Sequence, residues 1–270
     1  MKLDIFNKKL RRYEYIETKL LWDEGITAND LAITFSISRQ AAQAVLNEYR
    51  HLYPYQMIYN SKLKRHVAKQ TFEPVFVRKD AKLFLEYLRG QSLGRYYKEE
   101  EDWSDIEITD VNQKLQTELD TRNTQIILTA LRRHKSVAIE YLKKRNVSEK
   151  TMFRVISPNH LIFASNRYHI RAYCHIKSAY LDFVLSNIIS VEFSPEKWVS
   201  SADDMEWNEI VTVRLKPNPS LPKETQNAIL KRYNTPDGVR EIICRKALIY
   251  YIEKSLMINQ EDRISLWVPE

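Results

Sequence analysis

Glycine and cysteine are scarce in this chain of 270 residues. Its four glycines cannot form either a Gly-x-Gly-x-x-Gly loop or a P-loop, so the nucleotide-dependent enzymes built on those loops are excluded. Its two cysteines, Cys174 and Cys244, are too few for a disulfide framework and fit a reducing cytoplasm. The motifs His-Glu-x-x-His, Gly-x-Ser-x-Gly and Cys-x-x-Cys are also absent. The sequence therefore predicts a cytoplasmic protein without a cofactor.

Long apolar runs are missing as well. No stretch approaches the roughly 18 apolar residues of a membrane span, and the N-terminus has no apolar core of a secretion signal. The hydrophobic content of 44% is ample for folded cores, and the length suits about two domains. We therefore expect no membrane partner.

Charge is distributed unevenly along the chain. The net charge of +7 and the pI of about 9.2 permit a polyanionic partner. Residues 1–70 hold twelve Lys and Arg against seven Asp and Glu, an excess of five positive charges. Seven acidic residues then crowd positions 99–110, a run typical of a solvated linker or helix face.

Residues 27–51 predict two helices joined by a tight turn. Thr27 and Ser38 are suitable N-caps, one for each helix. Apolar residues at helical spacing predict buried stripes, formed by Leu31, Ala32 and Phe35 in the first helix and by Ala42, Val45, Leu46 and Tyr49 in the second. The opposite face of the second helix is polar and carries Arg39, Gln40, Gln43, Asn47 and Arg50.

A helix-turn-helix protein places such a polar face in the DNA major groove, with the first residues of the second helix on base edges. Arg39 could form a bidentate contact with guanine, and Gln40 or Gln43 could pair with adenine. The alternative is an ordinary helical hairpin whose polar face meets water.

A short basic hairpin follows the second helix. Residues 57–69 predict two extended runs about a turn at Asn60-Ser61, with Lys62, Lys64, Arg65 and His66 at its tip. This order of elements is that of a winged helix, in which cations on the wing contact phosphate. A solvated β-turn is the alternative for the hairpin alone. The predicted DNA-binding residues are Thr27, Ser38, Arg39, Gln40, Gln43, Asn47, Lys62, Lys64 and Arg65.

The rest of the chain predicts helices followed by strands. Helices are expected over 4–23, 78–89 and 112–133, with an irregular acidic stretch over 95–111. Strands are expected over 137–141, 151–156, 161–164, 168–175 and 181–189, which favours a small antiparallel sheet or barrel. A closing α+β unit is expected as strand 209–215, helix 221–233, strand 239–244 and helix 245–257.

The strand over 168–175 has one unusually polar face. His169, Arg171, Tyr173 and His175 alternate with apolar residues, so they share the face opposite the core. Arginine binds carboxylate or phosphate in a fork, and the face suits an anionic, nucleotide-like ligand that Ser157 and His160 could also contact. A wet sheet surface or a subunit contact would produce the same pattern.

Two chemical alternatives for this region are disfavoured. His160, His169, Cys174 and His175 lie close in sequence, but Cys174 points away from the histidines and no spacing matches a zinc site, so we predict no metal. Ser157 with His160 could be the nucleophile and base of a hydrolase, but such pairs occur by chance. We therefore predict that the protein is not an enzyme.

Residues 157–175, SPNHLIFASNRYHIRAYCH, and residues 180–193, YLDFVLSNIISVEF, resemble the WYL-domain regulators of bacteria. The name-giving tripeptide falls at Tyr168-His169-Ile170, where only the aromatic first position approximates the name. The closer similarity is to the BrxR/CapW type, which controls phage-defence islands and has an aromatic-His-aliphatic-Arg-Ala-Tyr-Cys pattern. The resemblance extends over essentially the whole chain in the order of its elements.

The resemblance implies an α+β multidomain fold: a winged helix-turn-helix over 1–75, a helical linker over 76–134, an Sm/SH3-like WYL β-barrel sensor over 135–195, and a C-terminal α+β dimerisation extension over 196–270. The implied ligand residues are Ser157, His160, Tyr168, His169 and Arg171. Many WYL domains have Arg in a Ser-Arg-Ile motif where this chain has Ser186-Asn187-Ile188. Arg154 or Arg171 would have to replace that cation.

The implied function is a homodimeric repressor of a phage-defence operon. It would bind an inverted-repeat operator in double-stranded DNA, and a nucleotide or nucleic-acid effector on the WYL domain would release it. The alternative function is that of a single-stranded nucleic-acid or RNA-binding accessory protein. In that case the WYL barrel is the main binding surface, and the N-terminal winged helix-turn-helix domain serves only as a tether.

Overall fold

The computed structural model describes residues 2–89, 117–143, 150–235, 237–256 and 265–270. The acidic stretch predicted over 95–111 lies outside these ranges. The chain divides into two compact units. The first contains Met1–Lys135 and Ile188–Phe193, and the second contains Ser136–Asn187 and Ser194–Glu270.

The first unit opens with the predicted helices and hairpin. Helix α1 spans Lys2–Trp22, α2 spans Ala28–Phe35 and α3 spans Arg39–Leu52. Strands β1 (Met57–Asn60) and β2 (Arg65–Ala68) pair antiparallel. The two side-chain caps form as predicted, because Thr27 accepts the N–H of Asp30 and Ser38 accepts the N–H of Ala41.

Apolar burial and one buried carboxylate hold this unit together. Ile16, Leu31 and Leu46 are fully buried, one from each of the first three helices. Glu17, also fully buried, accepts from the Tyr49 hydroxyl at 2.9 Å and from the backbone N–H groups of residues 75–77 at 2.7–3.2 Å. It therefore connects α1, α3 and the chain beyond the hairpin.

The hairpin is fixed to the turn between α1 and α2. Ile26 and His66 exchange backbone hydrogen bonds at 2.8 and 2.9 Å. The preceding residue, Gly25, has φ +108°, and a Cβ there would lie 2.0 Å from the His66 carbonyl oxygen. Only glycine fits this close approach.

Two further helices and a strand complete the first unit. Helix α4 spans Ala81–Leu88, inside the helix predicted over 78–89, and α5 spans Thr121–Arg133. Of the helix predicted over 112–133, residues 112–116 lie outside the described ranges and residues 117–120 are not helical. Helix α5 begins at Thr121 because Asp120 caps it, accepting the N–H of Asn123 at 2.7 Å. The Asn123 amide donates to the carbonyls of Ile188 and Ile189 on strand β7, Ile188–Phe193.

Antiparallel strands dominate the second unit. Strands β3 (Val137–Lys143), β4 (Lys150–Ala164), β5 (Arg167–Cys174) and β6 (Ala179–Val184) pair in sequence. The strands predicted over 151–156 and 161–164 are one strand, β4, because the chain passes Pro158 in a bulge that keeps both halves paired with β5.

The predicted barrel is not confirmed. The sheets of the described residues are open, and β3 does not pair with β6. The polar face of β5 is instead covered by the segment after β7, as described below. The strand predicted over 181–189 is also interrupted, by the 3₁₀ turn Leu185–Asn187. Just before the turn, the Val184 N–H donates to the Tyr141 hydroxyl at 3.1 Å.

The C-terminal part is a small α+β arrangement. Helix α6 (Met205–Asn208) precedes β8 (Ile210–Pro217), helix α7 (Lys223–Arg232), β9 (Arg240–Arg245), helix α8 (Ile249–Ser255) and β10 (Trp267–Pro269). The strand order is β10-β8-β9, with Leu215, Ile229 and Trp267 as the core. Helix α6 and strand β10 were not predicted, because each is too short to have a periodic pattern.

The helices in the described ranges are all too short or too polar to cross a lipid bilayer.

Candidate nucleic-acid interface and sensor face

The N-terminal half of α3 presents polar side chains to solvent. Ser38 Oγ accepts the N–H of Ala41 at 3.1 Å and starts the helix. Arg39, Gln40, Gln43 and Asn47 are all exposed, whereas the opposite face of the helix is buried. The Gln43 amide donates to Asn47 Oδ1 at 3.2 Å, which orients both amides along the exposed face. Such a surface can donate to and accept from base edges.

Thr27 stands at the start of α2 in a complete capping box. Its hydroxyl oxygen accepts the N–H of Asp30 at 3.2 Å, and its own N–H donates to Asp30 Oδ2 at 2.8 Å. The side chain is therefore engaged in the cap. A contact with DNA phosphate at this position would have to come from the helix N-terminus itself.

The hairpin presents two exposed cations at its turn. Lys62 and Lys64 are exposed, and Arg65 is half-buried at the start of β2. Asn60 Oδ1 accepts the N–H groups of Lys62 and Leu63 at 3.0 and 3.1 Å, and this closes the turn.

His66 was predicted at the tip of the hairpin, and this prediction is wrong. Its side chain is 6% exposed, because its backbone pairs with Ile26 and its ring lies against Tyr59. Burial, with the nearby positive charge of Arg50, lowers the pKa of its imidazole. His66 is therefore a neutral core residue and not a phosphate contact.

On the second unit, Arg171 is buried and fully engaged. Its guanidinium donates to the two carboxylate oxygens of Asp204 at 2.7 and 2.8 Å, to Glu206 at 3.1 Å and to Asp182 at 3.3 Å. Burial acts to lower the pKa of Arg171, but the hydrogen bonds and charges of these carboxylates raise it overall. The same contacts keep the pKa of Asp204 below its ordinary value despite burial.

His169 lies beside this cluster. Its Nδ1 is 3.3 Å from the hydroxyl of Tyr251, which donates to Asp182 at 2.8 Å. Burial lowers the pKa of His169 and raises that of Tyr251, where the charge of Asp182 adds to the effect. Both side chains are therefore neutral at pH 7.

Ser157 and His160 contact the segment that follows β7. The Ser157 hydroxyl accepts the N–H of Val199 at 3.0 Å, and His160 Nε2 is 2.9 Å from the Ser201 hydroxyl. The His160 ring also stacks on Trp207, with centroids 4.0 Å apart.

The remaining two predicted ligand residues lie elsewhere. Tyr168 is buried and packs edge-on against Phe163. Strand alternation places Tyr168 and Arg154 on the face opposite Arg171. The structure thus brings together Ser157, His160, His169 and Arg171, but not Tyr168 or Arg154.

The partners of Arg171 are not evident from the sequence. Asp182, Asp204 and Glu206 come from different elements and lie up to 35 residues from Arg171 along the chain, and Tyr251, which donates to Asp182, lies 80 residues away. No local pattern marks them, because Asp204 and Glu206 stand in a short polar stretch that is typical of a solvated turn. Among the described residues, no group of His, Cys, Asp and Glu could hold a metal ion.

Comparison with known families divides the chain into three matched regions. Residues 8–90 match the BrxR transcriptional regulator winged helix-turn-helix domain. Residues 122–193 match the WYL domain, and residues 210–265 match the BrxR transcriptional regulator C-terminal dimerization domain. The α+β expectation with an N-terminal winged helix, a WYL domain and a C-terminal domain is therefore confirmed.

Individual relatives match over nearly the whole chain. The chain is 29% identical over 251 residues to the DNA-binding transcriptional repressor CapW of Stenotrophomonas maltophilia, covering 92% of this chain and 83% of that protein. It is 28% identical to CapW of Escherichia coli (strain KTE188), covering 93% and 83%, and 27% identical to CapW of Pseudomonas aeruginosa, covering 93% and 84%.

A solved structure, the proteasome accessory factor B/C (PafBC) of Arthrobacter aurescens, is 15% identical and aligns with 94% of this chain and 49% of its own, with a TM-score of 0.28. At that score the likeness carries no argument about this protein.

Proposed function

We propose that the chain is a homodimeric transcriptional repressor of the BrxR/CapW type. The matches to the BrxR winged helix-turn-helix, WYL and BrxR C-terminal dimerization families support this proposal. It binds an inverted-repeat operator in double-stranded DNA and controls a phage-defence operon. A nucleotide or nucleic-acid effector acting at the WYL domain releases it.

One observation carries the proposal most directly. The exposed face of α3 starts at a capped N-terminus with Arg39 and Gln40, and a cationic turn with Lys62 and Lys64 follows it in the chain. Base contacts give specificity and phosphate contacts give register. The same arrangement lies within the region matched by the BrxR winged helix-turn-helix family, and the CapW relatives are named as DNA-binding repressors.

Dimerisation would give the operator its symmetry. The region matched by the BrxR dimerization family, residues 210–265, covers most of the C-terminal sheet and its helices. Closed two-fold pairing is the commonest form of homo-oligomer. Two copies of α3 would then meet two half-sites about one helical turn, roughly 34 Å, or a multiple of that apart.

Release follows from unequal binding to two conformations. An effector shifts the equilibrium only as far as its affinity differs between the operator-bound and released forms. The single-stranded or RNA-binding alternative requires an open WYL face, but Ser157, His160 and Arg171 contact residues of the chain itself. The proposed effector meets the same covered face, so the choice between the two functions rests on the match of residues 8–90 to the BrxR winged helix-turn-helix domain.

Fluorescence anisotropy with the DNA upstream of the protein's own gene tests the proposal. Arg39→Ala should weaken operator binding by about 1–3 kcal/mol, because it removes a bidentate base contact. Arg232→Ala, which removes an exposed arginine from α7, is the matched control and should bind as the unaltered protein does. Unchanged affinity in Arg39→Ala would overturn the assignment of α3. A single-stranded oligonucleotide bound more tightly than the duplex, through residues 136–190, would favour the alternative.

A further inference from the structure

The predicted effector face of the WYL domain is covered by the chain itself. The covering segment, residues 198–207, runs over the polar face of β4 and β5. The Trp198 indole donates to the Pro158 carbonyl at 2.9 Å, and the Tyr180 hydroxyl donates to the Ser200 carbonyl at 2.5 Å. The segment therefore contacts Ser157, His160 and Arg171, three of the four predicted ligand residues on this face.

Within the covering segment, Asp204 and Glu206 bind Arg171 as a ligand would. Asp204 makes the bidentate pair that a carboxylate or phosphate group makes with arginine. Glu206 takes another hydrogen bond from the same guanidinium nitrogen as one oxygen of Asp204. An anionic effector would have to satisfy these same donors.

Charge makes simple addition of an anion unfavourable. One guanidinium faces the carboxylates of Asp182, Asp204 and Glu206, so the cluster already has an excess of negative charge. A further anion would be repelled at short range in a site of low solvent access. It can bind only if a carboxylate leaves.

The carboxylates differ in how easily they can leave. The Glu206 side chain is 61% exposed, whereas those of Asp182 and Asp204 are 16% and 2% exposed. An exposed ion pair contributes little free energy, so Glu206 is the weakest partner. Displacement would therefore begin at Glu206 and then reach Asp204.

Displacement of the covering segment would change its contacts with the C-terminal sheet. The guanidinium of Arg245, the last residue of β9, lies 4.6 Å from the centre of the Trp207 ring and donates to the Trp207 carbonyl at 2.5 Å. The next residue, Lys246, donates its N–H to the Glu209 carbonyl at 3.0 Å. Movement of the segment thus alters contacts inside the region matched by the dimerization family.

We propose that residues 198–207 are an intramolecular competitor of the effector, with Asp204 and Glu206 in the positions of the effector's phosphate groups on Arg171. An effector bearing phosphate groups binds by displacing Glu206 and then Asp204, and the displaced segment changes the contacts of β9. This inference rests on the proposed effector-controlled repression and adds the regulation of that site.

Binding of phosphate probes to the full chain tests the competition. Inorganic pyrophosphate represents a free phosphate ligand, and a single-stranded oligonucleotide of ten thymidines represents a nucleic-acid backbone. Glu206→Gln should bind one of these probes about two- to fivefold more tightly than the unaltered protein, because the exposed carboxylate that competes for Arg171 is removed. In the double variant Asp204→Asn, Glu206→Gln the affinity should rise about tenfold, because the charge-assisted hydrogen bonds between Asp204 and Arg171 are lost as well.

A matched control separates competition from a general change of charge. Glu209→Gln removes an exposed carboxylate that pairs with Lys246 at 2.8 Å and lies outside residues 198–207. It should bind the probes as the unaltered protein does. Equal gains in Glu206→Gln and Glu209→Gln, or no binding of either probe to folded Glu206→Gln, would overturn the proposal.

Hydrogen exchange supplies the second measurement. When a probe binds, the N–H of Val199 should exchange faster, because its acceptor, the Ser157 hydroxyl, lies on β4 and loses this contact when the segment is displaced. Probe binding that leaves this exchange unchanged would also overturn the proposal. Operator binding by the unaltered protein is measured on the same samples: its loss would refute the proposed repressor, whereas its presence without competition refutes only this inference.

Discussion

Lys64 occupies the last position of the hairpin turn, where its side chain is exposed and its backbone has φ +52°. In the proposed repressor, a cation at that place would contact phosphate on any sequence, whereas Arg39 would contact bases from the exposed face of α3. Substitution of Lys64 therefore tests the general electrostatic attraction to DNA, and substitution of Arg39 tests the recognition of bases.

Lys64→Gln should weaken binding to operator and unrelated duplexes alike. Because one phosphate contact is lost, the slope of log K against log salt should become shallower by about 0.9. Anisotropy titrations at several salt concentrations measure this slope. Lys223→Gln, an exposed lysine at the start of α7, should leave it unchanged. A loss confined to the operator would mean that Lys64 reads sequence instead.

His169, on the proposed effector face, is expected to make the stability of the folded chain depend on pH. Burial lowers its pKa in the folded chain, so the unfolded chain takes up a proton near the ordinary value of 6.5 while the folded chain does not. The stability contributed by neutral His169 is therefore present above that pH and is lost as the pH falls below it.

The variant His169→Gln cannot take up this proton and should lose less stability on acidification. Urea unfolding at pH 7.5 and pH 5.5, followed by circular dichroism, measures the fall for each protein. A smaller fall in the variant is expected. An identical fall in both proteins would mean that His169 titrates equally in the folded and unfolded states.

At the level of elements, α3 depends on its first turn. Ser38 supplies the cap, and the residues that follow it at once are those that we propose to contact the bases. Fraying of this turn would disorder Arg39 and Gln40 together, so helix stability and recognition are coupled here.

Ser38→Ala should destabilise the first turn of α3 by about 1 kcal/mol. The N–H of Ala41 should then exchange about fivefold faster, as measured by nuclear magnetic resonance. Ser38→Asp keeps a capping oxygen and should retain slow exchange, yet bind operator less tightly because its charge faces phosphate. If Ser38→Ala left both exchange and affinity unchanged, the cap would have no role in recognition.

Elements with local signals could be predicted from sequence. The caps at Thr27 and Ser38 and the buried face of α3 follow from spacing alone, and both form as expected. The continuity of β4 could not be predicted, because Pro158 normally interrupts a ladder and only the bulge with β5 lets pairing resume.

The candidate site could be predicted only in part, for a related reason. Strand alternation places His169 and Arg171 on one face, but it says nothing about what covers that face. The partners of Arg171 are Asp182 in the next strand and Asp204 and Glu206, 33 and 35 residues away. Such pairings depend on tertiary structure, so a face that suggests an anionic ligand in sequence is occupied by carboxylates of the same chain.

At the level of the whole molecule, the excess of positive charge lies where DNA would bind. Residues 1–70 contribute five of the net seven positive charges. A dimer carries this charge on each of its two winged helix-turn-helix domains, which favours rapid association with DNA. In the proposed repressor, the C-terminal region would set the distance between these domains, and the WYL domain would bind the effector.

The most direct test of the account is a DNase I footprint of the full chain on the DNA upstream of its own gene. We predict two protected half-sites in inverted orientation, with centres about 34 Å or a multiple of that apart. Protection should be lost with Arg39→Ala and kept with Arg232→Ala. A single unsymmetrical site, or protection that persists in Arg39→Ala, would contradict the claim that paired copies of α3 read the operator.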